Sequence, residues 1–333
     1  MITLDPALFR ADLEAKPATL RALAAHLTTH RPWEFVRDTR RVVFLGMGSS
    51  RYAAQVAARR LRRAGVDASA EYASAEYASA EYASAEYASA EGTVPAGDDT
   101  LVVAISASGT SQETLDAVAA FPSYVALTNN PDSALARRAA HTVEMHAGAE
   151  RGGVACRSFQ HTQILLDALV DHLTGGGPAP IAEAAEATED LLTRRPRWLA
   201  RCGELLEGDG VFPIAPVERI SSALQSALMF REGPRVPADG CETGDWSHVD
   251  VYLTKTLRYR ALLFPGSRYD GPALEWLHSR ASTIVSVGGE APGAAQVIRF
   301  RHDDDLRVRL LTETLIAELV AAEWWAQGTG GSP

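Results

Sequence analysis

Apolar positions along the chain fall into two recurring patterns. One is a short β-branched run that stops at small residues, and the other is a longer stretch in which Leu, Val and Ala return every three or four residues. RRVVFLGMGSS carries an apolar run at 42–45 and breaks at Gly46-Met47-Gly48-Ser49-Ser50. It then passes into RYAAQVAARRLRRAG, an amphipathic helix closed by Gly65. TLVVAISASGTSQETLDAVAAF repeats this order of strand, small-residue loop and helix. Shorter strands follow at YVALTN and HTVEMHA, then a helix around 162–173. Strands alternating with helices predict a parallel sheet with right-handed crossovers.

The second half carries the same signal more faintly. Helical patterns cover 181–206 and 218–232, strands are predicted at YRALLFPG and STIVSVGG with a shorter run at QVIRF, and a last helix is predicted over 306–326. Residues 8–29 read as two short helices around a Pro break, an arm ahead of the first strand. TGGGPAP at 174–180 is the best polar break. The expected organisation is therefore a helical arm (1–40), a first α/β lobe (41–175), a linker (176–190), a second α/β lobe (191–327) and a frayed tail (328–333).

Residues 68–91 interrupt the first lobe with four copies of ASAEY followed by ASAE. A five-residue period advances ~500° per copy in a helix, and in a strand it moves Tyr to the other face at each copy. Neither builds one buried face. The expectation is a solvated helix of up to ~36 Å, or a loop, inserted as a tolerated expansion.

Composition narrows the function. At 46% apolar and 22% charged, the 333-residue chain is globular in type. Five of the ten net negative charges come from the repeat, and no basic excess exists to neutralise a nucleic-acid backbone. Only Lys16 and Lys255 are lysines, so a Schiff-base mechanism has two candidates. Cys156, Cys202 and Cys241 are too scattered for a disulfide framework or a zinc site. No apolar stretch approaches the ~20 residues needed to span a bilayer. The chain is read as cytoplasmic, with no metal, no cofactor, no nucleic-acid partner and no membrane contact.

The chemistry-bearing segments are the two small-residue loops. Each joins a strand to a helix N-terminus, where free N–H groups and the helix dipole favour an anion. Ser49, Ser50, Ser106, Ser108, Thr110, Ser111 and Thr114 offer hydroxyls but no fixed charge, which suits a small phosphorylated ligand. Either loop alone is ordinary helix capping; the pair favours phosphate. GMGSSR begins like a dinucleotide fingerprint, but Arg51 replaces its third glycine and no acidic residue follows a second strand at the required distance.

GMGSS followed by SASGTSQET resembles the paired phosphate loops of the sugar isomerase (SIS) domain family. AGAERGGVACRSF, and ALQSALMFREGPRVPADGCETGDWSH further on, resemble segments of the isomerase half of glucosamine-6-phosphate synthase. The resemblance implies two SIS-type lobes acting as a homodimer on a sugar phosphate. It implies phosphate contacts at Gly48, Ser49, Ser50, Ser106, Ala107, Ser108 and Ser111, and sugar-pocket residues Glu150 and Arg157. It also implies a proton-transferring Glu232 and a ring-opening His248 that reaches its site from the neighbouring subunit.

Those residue types fit aldose–ketose interconversion, in which a carboxylate moves the proton between C1 and C2 and an imidazole relays the ring proton. A phosphosugar isomerase or amino-sugar-phosphate deaminase is expected, with one phosphate site per chain. The family pattern is departed from at Gln225, Met229, Val249 and Asp250, and the first three favour the rival reading, a non-catalytic phosphosugar sensor. The absence of a lysine from the tail WWAQGTGGSP argues against ammonia transfer, and no glutamine-hydrolysing segment is expected.

Overall fold

The computed structural model describes residues 4–74 and 99–328. The chain divides into two compact units. One comprises Ala25–Gly148 and Ser158–Ala179, the other Met1–Ala24, Ala149–Arg157 and Pro180–Pro333. Each contains a five-stranded parallel sheet flanked by helices.

The chain opens with helices α1 (Pro6–Glu14) and α2 (Lys16–Thr29). Asp5 caps α1 through Ala7 and Leu8 N–H, and the predicted Pro break falls at Ala15, leaving Pro17 in the first turn of α2 where its missing donor costs little. Phe9 and Leu13 of α1 are buried in the core of the second unit, so α1 is part of that unit's packing.

The first unit holds β1 (Arg41–Gly46), α3 (Gly48–Arg63), β2 (Asp67–Tyr72), β3 (Thr100–Ile105), α4 (Gln112–Val118), β4 (Val125–Thr128), α5 (Ala134–Arg138), β5 (His141–Glu144) and most of α6 (Arg157–Thr174). Its strand order is β2-β1-β3-β4-β5. Val42, Val43, Phe44 and Leu45 are wholly buried, as expected of a parallel strand covered on both faces.

The first ASAEY copy overturns the expectation of a helix or loop. It forms nearly all of β2, parallel to β1, with Ala68 opposite Val42 and Tyr72 opposite Gly46. Helix propensities differ by only a few tenths of a kcal/mol per residue. The open edge of β1 offers a row of unpaired backbone groups that a strand satisfies together. The remaining copies lie outside the described residues.

The second unit holds α7 (Ile181–Leu206), β6 (Val211–Ala215), α8 (Ile220–Glu232), β7 (Cys241–Glu242), α9 (Thr243–Trp246), β8 (Arg260–Leu263), α10 (Asp270–Ser279), β9 (Thr283–Val287), β10 (Gln296–Ile298), α11 (Leu306–Thr312) and α12 (Thr314–Gln327). Helix α7 starts inside the segment read as a linker. Read from one end, the order β7-β6-β8-β9-β10 winds in the same sense as the first sheet: second, first, third, fourth, fifth. Strand β6 was hidden in the sequence by Pro213. Val211 exchanges its backbone groups with Pro237 and Asp239 on the β7 side, and Pro213, two residues on, faces that same side. There β7 spans only two residues, so the missing donor costs little of the ladder. The predicted last helix is broken at Glu313, whose buried carboxylate pairs with Arg219.

Among the described residues, no helix is long and apolar enough to cross a membrane.

Candidate functional site

In the first unit the winding reverses between β1 and β3, which pair with Gly46 opposite Ile105. The chain leaves these strands in opposite directions, so residues 47–50 and 106–111 border the crevice at the carboxyl edge, where open α/β sheets take their ligands. The two loops singled out in the sequence are thus neighbours.

Two glycines shape the first loop for different reasons. A Cβ on Gly46 would stand 3.0 Å from Ser50 Cβ, so strand and helix approach too closely for a side chain. Gly48 needs its freedom for φ +47°. Helix α3 opens on Met47 with no side-chain cap, and among the described residues the hydroxyls of Ser49 and Ser50 have no hydrogen-bond partner.

The second loop is held from both sides. Gly109 N–H donates to Ser106 Oγ (3.2 Å), and Thr110 donates its N–H (3.2 Å) and its hydroxyl (3.0 Å) to Ser108 Oγ. Asn129 N–H and Thr128 Oγ1 donate to the Ala107 carbonyl, leaving Ala107 its N–H to offer a ligand. Gly109 sits at φ +63° with Ser133 Oγ where a Cβ would go. A hydroxyl oxygen that accepts keeps its own proton, so Ser106 and Ser108 can still donate to an anion. Ser111 differs: its hydroxyl donates to Glu113 Oε2 (3.0 Å) and accepts from Thr114. That hydrogen bond, after the backbone one, lowers the Glu113 pKa, so a carboxylate stands ionised beside the loop.

The other candidates lie in the second unit. Glu150 Oε1 accepts the N–H groups of Cys156 (2.7 Å) and Arg157 (2.6 Å), capping the start of α6. Arg157 is buried and donates to Asp12 Oδ1 (2.8 Å) and the Ala149 carbonyl (2.5 Å), while Asp12 Oδ2 accepts from Gly152 N–H (2.7 Å). Both sugar-pocket candidates therefore brace the segment Ala149–Arg157. Glu232 ends α8 on an exposed turn. Its carboxyl pKa is raised chiefly by desolvation and further by the negative charge of Glu150, with Arg231 opposing. His248, also exposed, follows α9 and donates its N–H to the Asp245 carbonyl (2.8 Å). Glu232 and His248 share no hydrogen bond. The departures Gln225 and Met229 are buried, with Gln225 Nε2 donating to the Ala155 carbonyl (3.0 Å) and reaching Met229 Sδ (3.7 Å).

Sequence reasoning named Lys16 as a Schiff-base candidate but not its place in the core. It is buried in an ion pair with Glu318. Its only sequence signal was its rarity. Lys255, by contrast, is exposed beside the Tyr252 ring.

At the reversal of the second sheet, the donors are used within the fold. Arg219 pairs with Glu313 and donates to the Pro265 carbonyl (2.6 Å), and Gly266 and Ser267 N–H donate to Asp270 Oδ2 (2.6 and 3.1 Å).

Residues 35–171 match the SIS domain family. The glutamine–fructose-6-phosphate aminotransferase (isomerizing) of Halobacterium salinarum is 28% identical over 229 residues, which is 62% of this chain and 36% of that protein. The chain spans two fifths or less of the length of the curated relatives it matches. Among solved structures, the C-terminal domain of glucosamine-fructose-6-phosphate aminotransferase from Francisella tularensis superimposes with a TM-score of 0.75 at 15% identity, covering 98% of this chain and 97% of that one. Tagatose-6-phosphate ketose/aldose isomerase from Escherichia coli gives 0.75 at 14% identity, covering 98% and 95%. Residues 35–171 are thus similar to a SIS domain, and the two-sheet fold is that of these solved structures.

Proposed function

We propose that the protein is a phosphosugar isomerase, or an amino-sugar-phosphate deaminase using the same enediol chemistry. The observation that carries this reading is the pair of loops at the β1/β3 reversal, with donor protons left on Ser50, Ser106 and Ser108. The loops bind the phosphate through those hydroxyls, the N–H of Ala107 and the opening turn of α3. Glu232 moves the proton between C1 and C2, a task its raised pKa suits by keeping the base closer to neutrality. His248 relays the ring-opening proton. Val249, Tyr252 and Leu253 expose apolar surface beside His248, which supports a homodimer in which this segment is covered by a second copy. The second lobe is read as a second SIS domain from its identical winding.

The test is exchange of the C2 hydrogen of hexose 6-phosphates with solvent, followed by NMR in D2O. The expected result is exchange with at least one sugar, abolished by Glu232→Gln with binding retained. Exchange unchanged in Glu232→Gln would overturn the assignment of the base. A sensor is the second reading, favoured by the internal engagement of Glu150, Arg157 and Ser111; binding without exchange across the sugars would establish it.

A further inference from the structure

The paired loops present neutral hydroxyls, and Glu113 adds a negative charge beside them. A cation beside them would offset that charge when a phosphate dianion binds, and α3 carries five arginines. Arg60 is ion-paired with Asp167 and Asp171, Arg62 donates to the Ala68 carbonyl (2.5 Å), and Arg59 and Arg63 are also engaged. Arg51 differs. Among the described residues it has no carboxylate partner, and its Nε, shielded from solvent, has no hydrogen-bond partner.

What holds Arg51 is an aromatic face. Its guanidinium carbon lies 3.8 Å from the ring centroid of Tyr72 and 5.7 Å from that of Tyr52. Helical side chains lean toward the helix N-terminus, so Arg51, one turn into α3, leans back toward the carboxyl edge of the sheet. There Tyr72 ends β2 directly opposite Gly46, the residue that opens the first loop. Stacking uses the face of the guanidinium and leaves the N–H donors in its plane, the fork that matches phosphate oxygens.

Resting on the phosphate reading of the loops, we propose that Arg51 is the cationic ligand of the bound phosphate and that Tyr72, in the first copy of the repeat, is its positioning residue. The ring limits the rotamers of a long flexible side chain, so less freedom is lost when the anion binds.

Titration with inorganic phosphate and with fructose 6-phosphate, followed calorimetrically, tests both roles. Arg51→Met is expected to weaken binding at least tenfold and to flatten its dependence on salt. Tyr72→Ala should weaken binding severalfold and Tyr72→Phe should restore it, because the ring and not the hydroxyl holds the guanidinium. Loss of affinity in Ser106→Ala with none in Arg51→Met would overturn the role of Arg51 and leave the phosphate loops standing. Equal loss in Tyr72→Ala and Tyr72→Phe would overturn the positioning role. No binding of either ligand by the unaltered protein would overturn the loop reading itself. If Arg51→Met does not fold, Arg51→Lys, which keeps the charge without the planar fork, carries the same comparison.

Discussion

Lys16 donates to Glu318 in the core of the second unit, with both side chains removed from solvent. Burial raises the Glu318 pKa, and the charge of Lys16 opposes that shift. Lys16→Met strands a buried carboxylate and is expected to destabilise the unit by about 3–5 kcal/mol. The double variant Lys16→Met/Glu318→Leu removes both charges and should recover most of the loss. Urea denaturation of the two variants checks this; equal destabilisation would show that packing, not charge, is at stake.

The base assigned to Glu232 predicts a pH profile. Its pKa is raised above 4.5, first by desolvation and then by Glu150. With Glu232 as the proposed base, activity would require its carboxylate, so the rate would fall as pH drops through this raised value. Glu150→Gln removes the neighbouring negative charge while keeping an oxygen for the Cys156 and Arg157 N–H groups, and should move the acid limb of kcat/KM to lower pH. A limb that stays in place would separate Glu232 from the titration.

Asp250 stands where the family's pattern departs, two residues after His248. Burial, then the charges of Asp239 and Asp245, push its pKa from 3.8 up to about 6. With the folded value raised, its contribution to stability is fully present below about pH 3.8 and is lost as pH rises through about 6. Asp250→Asn, which keeps an oxygen for the Tyr259 hydroxyl, should therefore raise Tm at pH 7 and leave it unchanged near pH 4. Thermal melts at the two pH values decide the matter.

His26 works in the opposite sense. Burial and the nearby His146 and His30 lower its pKa from 6.5. Its contribution to stability is present above 6.5 and declines as pH falls toward the depressed value. His26→Asn should flatten the loss of stability between pH 6.5 and pH 5, measured by denaturant unfolding.

Because one ASAEY copy serves as β2, deleting any one copy yields the same protein. Variants with one to three copies keep a strand for β1 to pair with and are expected to retain the stability of the unaltered chain. Removing every copy strips β1 of its outer neighbour β2 and should destabilise the first unit. A graded loss of stability from copy to copy, seen in denaturant titrations, would contradict this.

The two small-residue loops were legible in the sequence because they are local signals: an apolar strand, glycines that only a tight turn requires, and a helix start within a dozen residues. Other features had no local signal. Strand β2 was masked by Ala and Glu, whose preference for helix is weaker than the pairing offered by the edge of β1. Pro213 concealed β6 until its neighbours showed which side of the strand could lack a donor.

By itself, then, the sequence determined the α/β class, the two loops at the head of the first sheet and the hydroxyls those loops carry. Tertiary structure alone decided which charges are available. Arg157 finds Asp12 across 145 positions of chain and Lys16 finds Glu318 across 302, so both are committed inside the fold, while Arg51 is stacked on Tyr72 with its donors unspent. The reason is physical. Backbone preference acts over a few residues, whereas the cost of burying a charge is met by whatever partner the folded chain brings beside it.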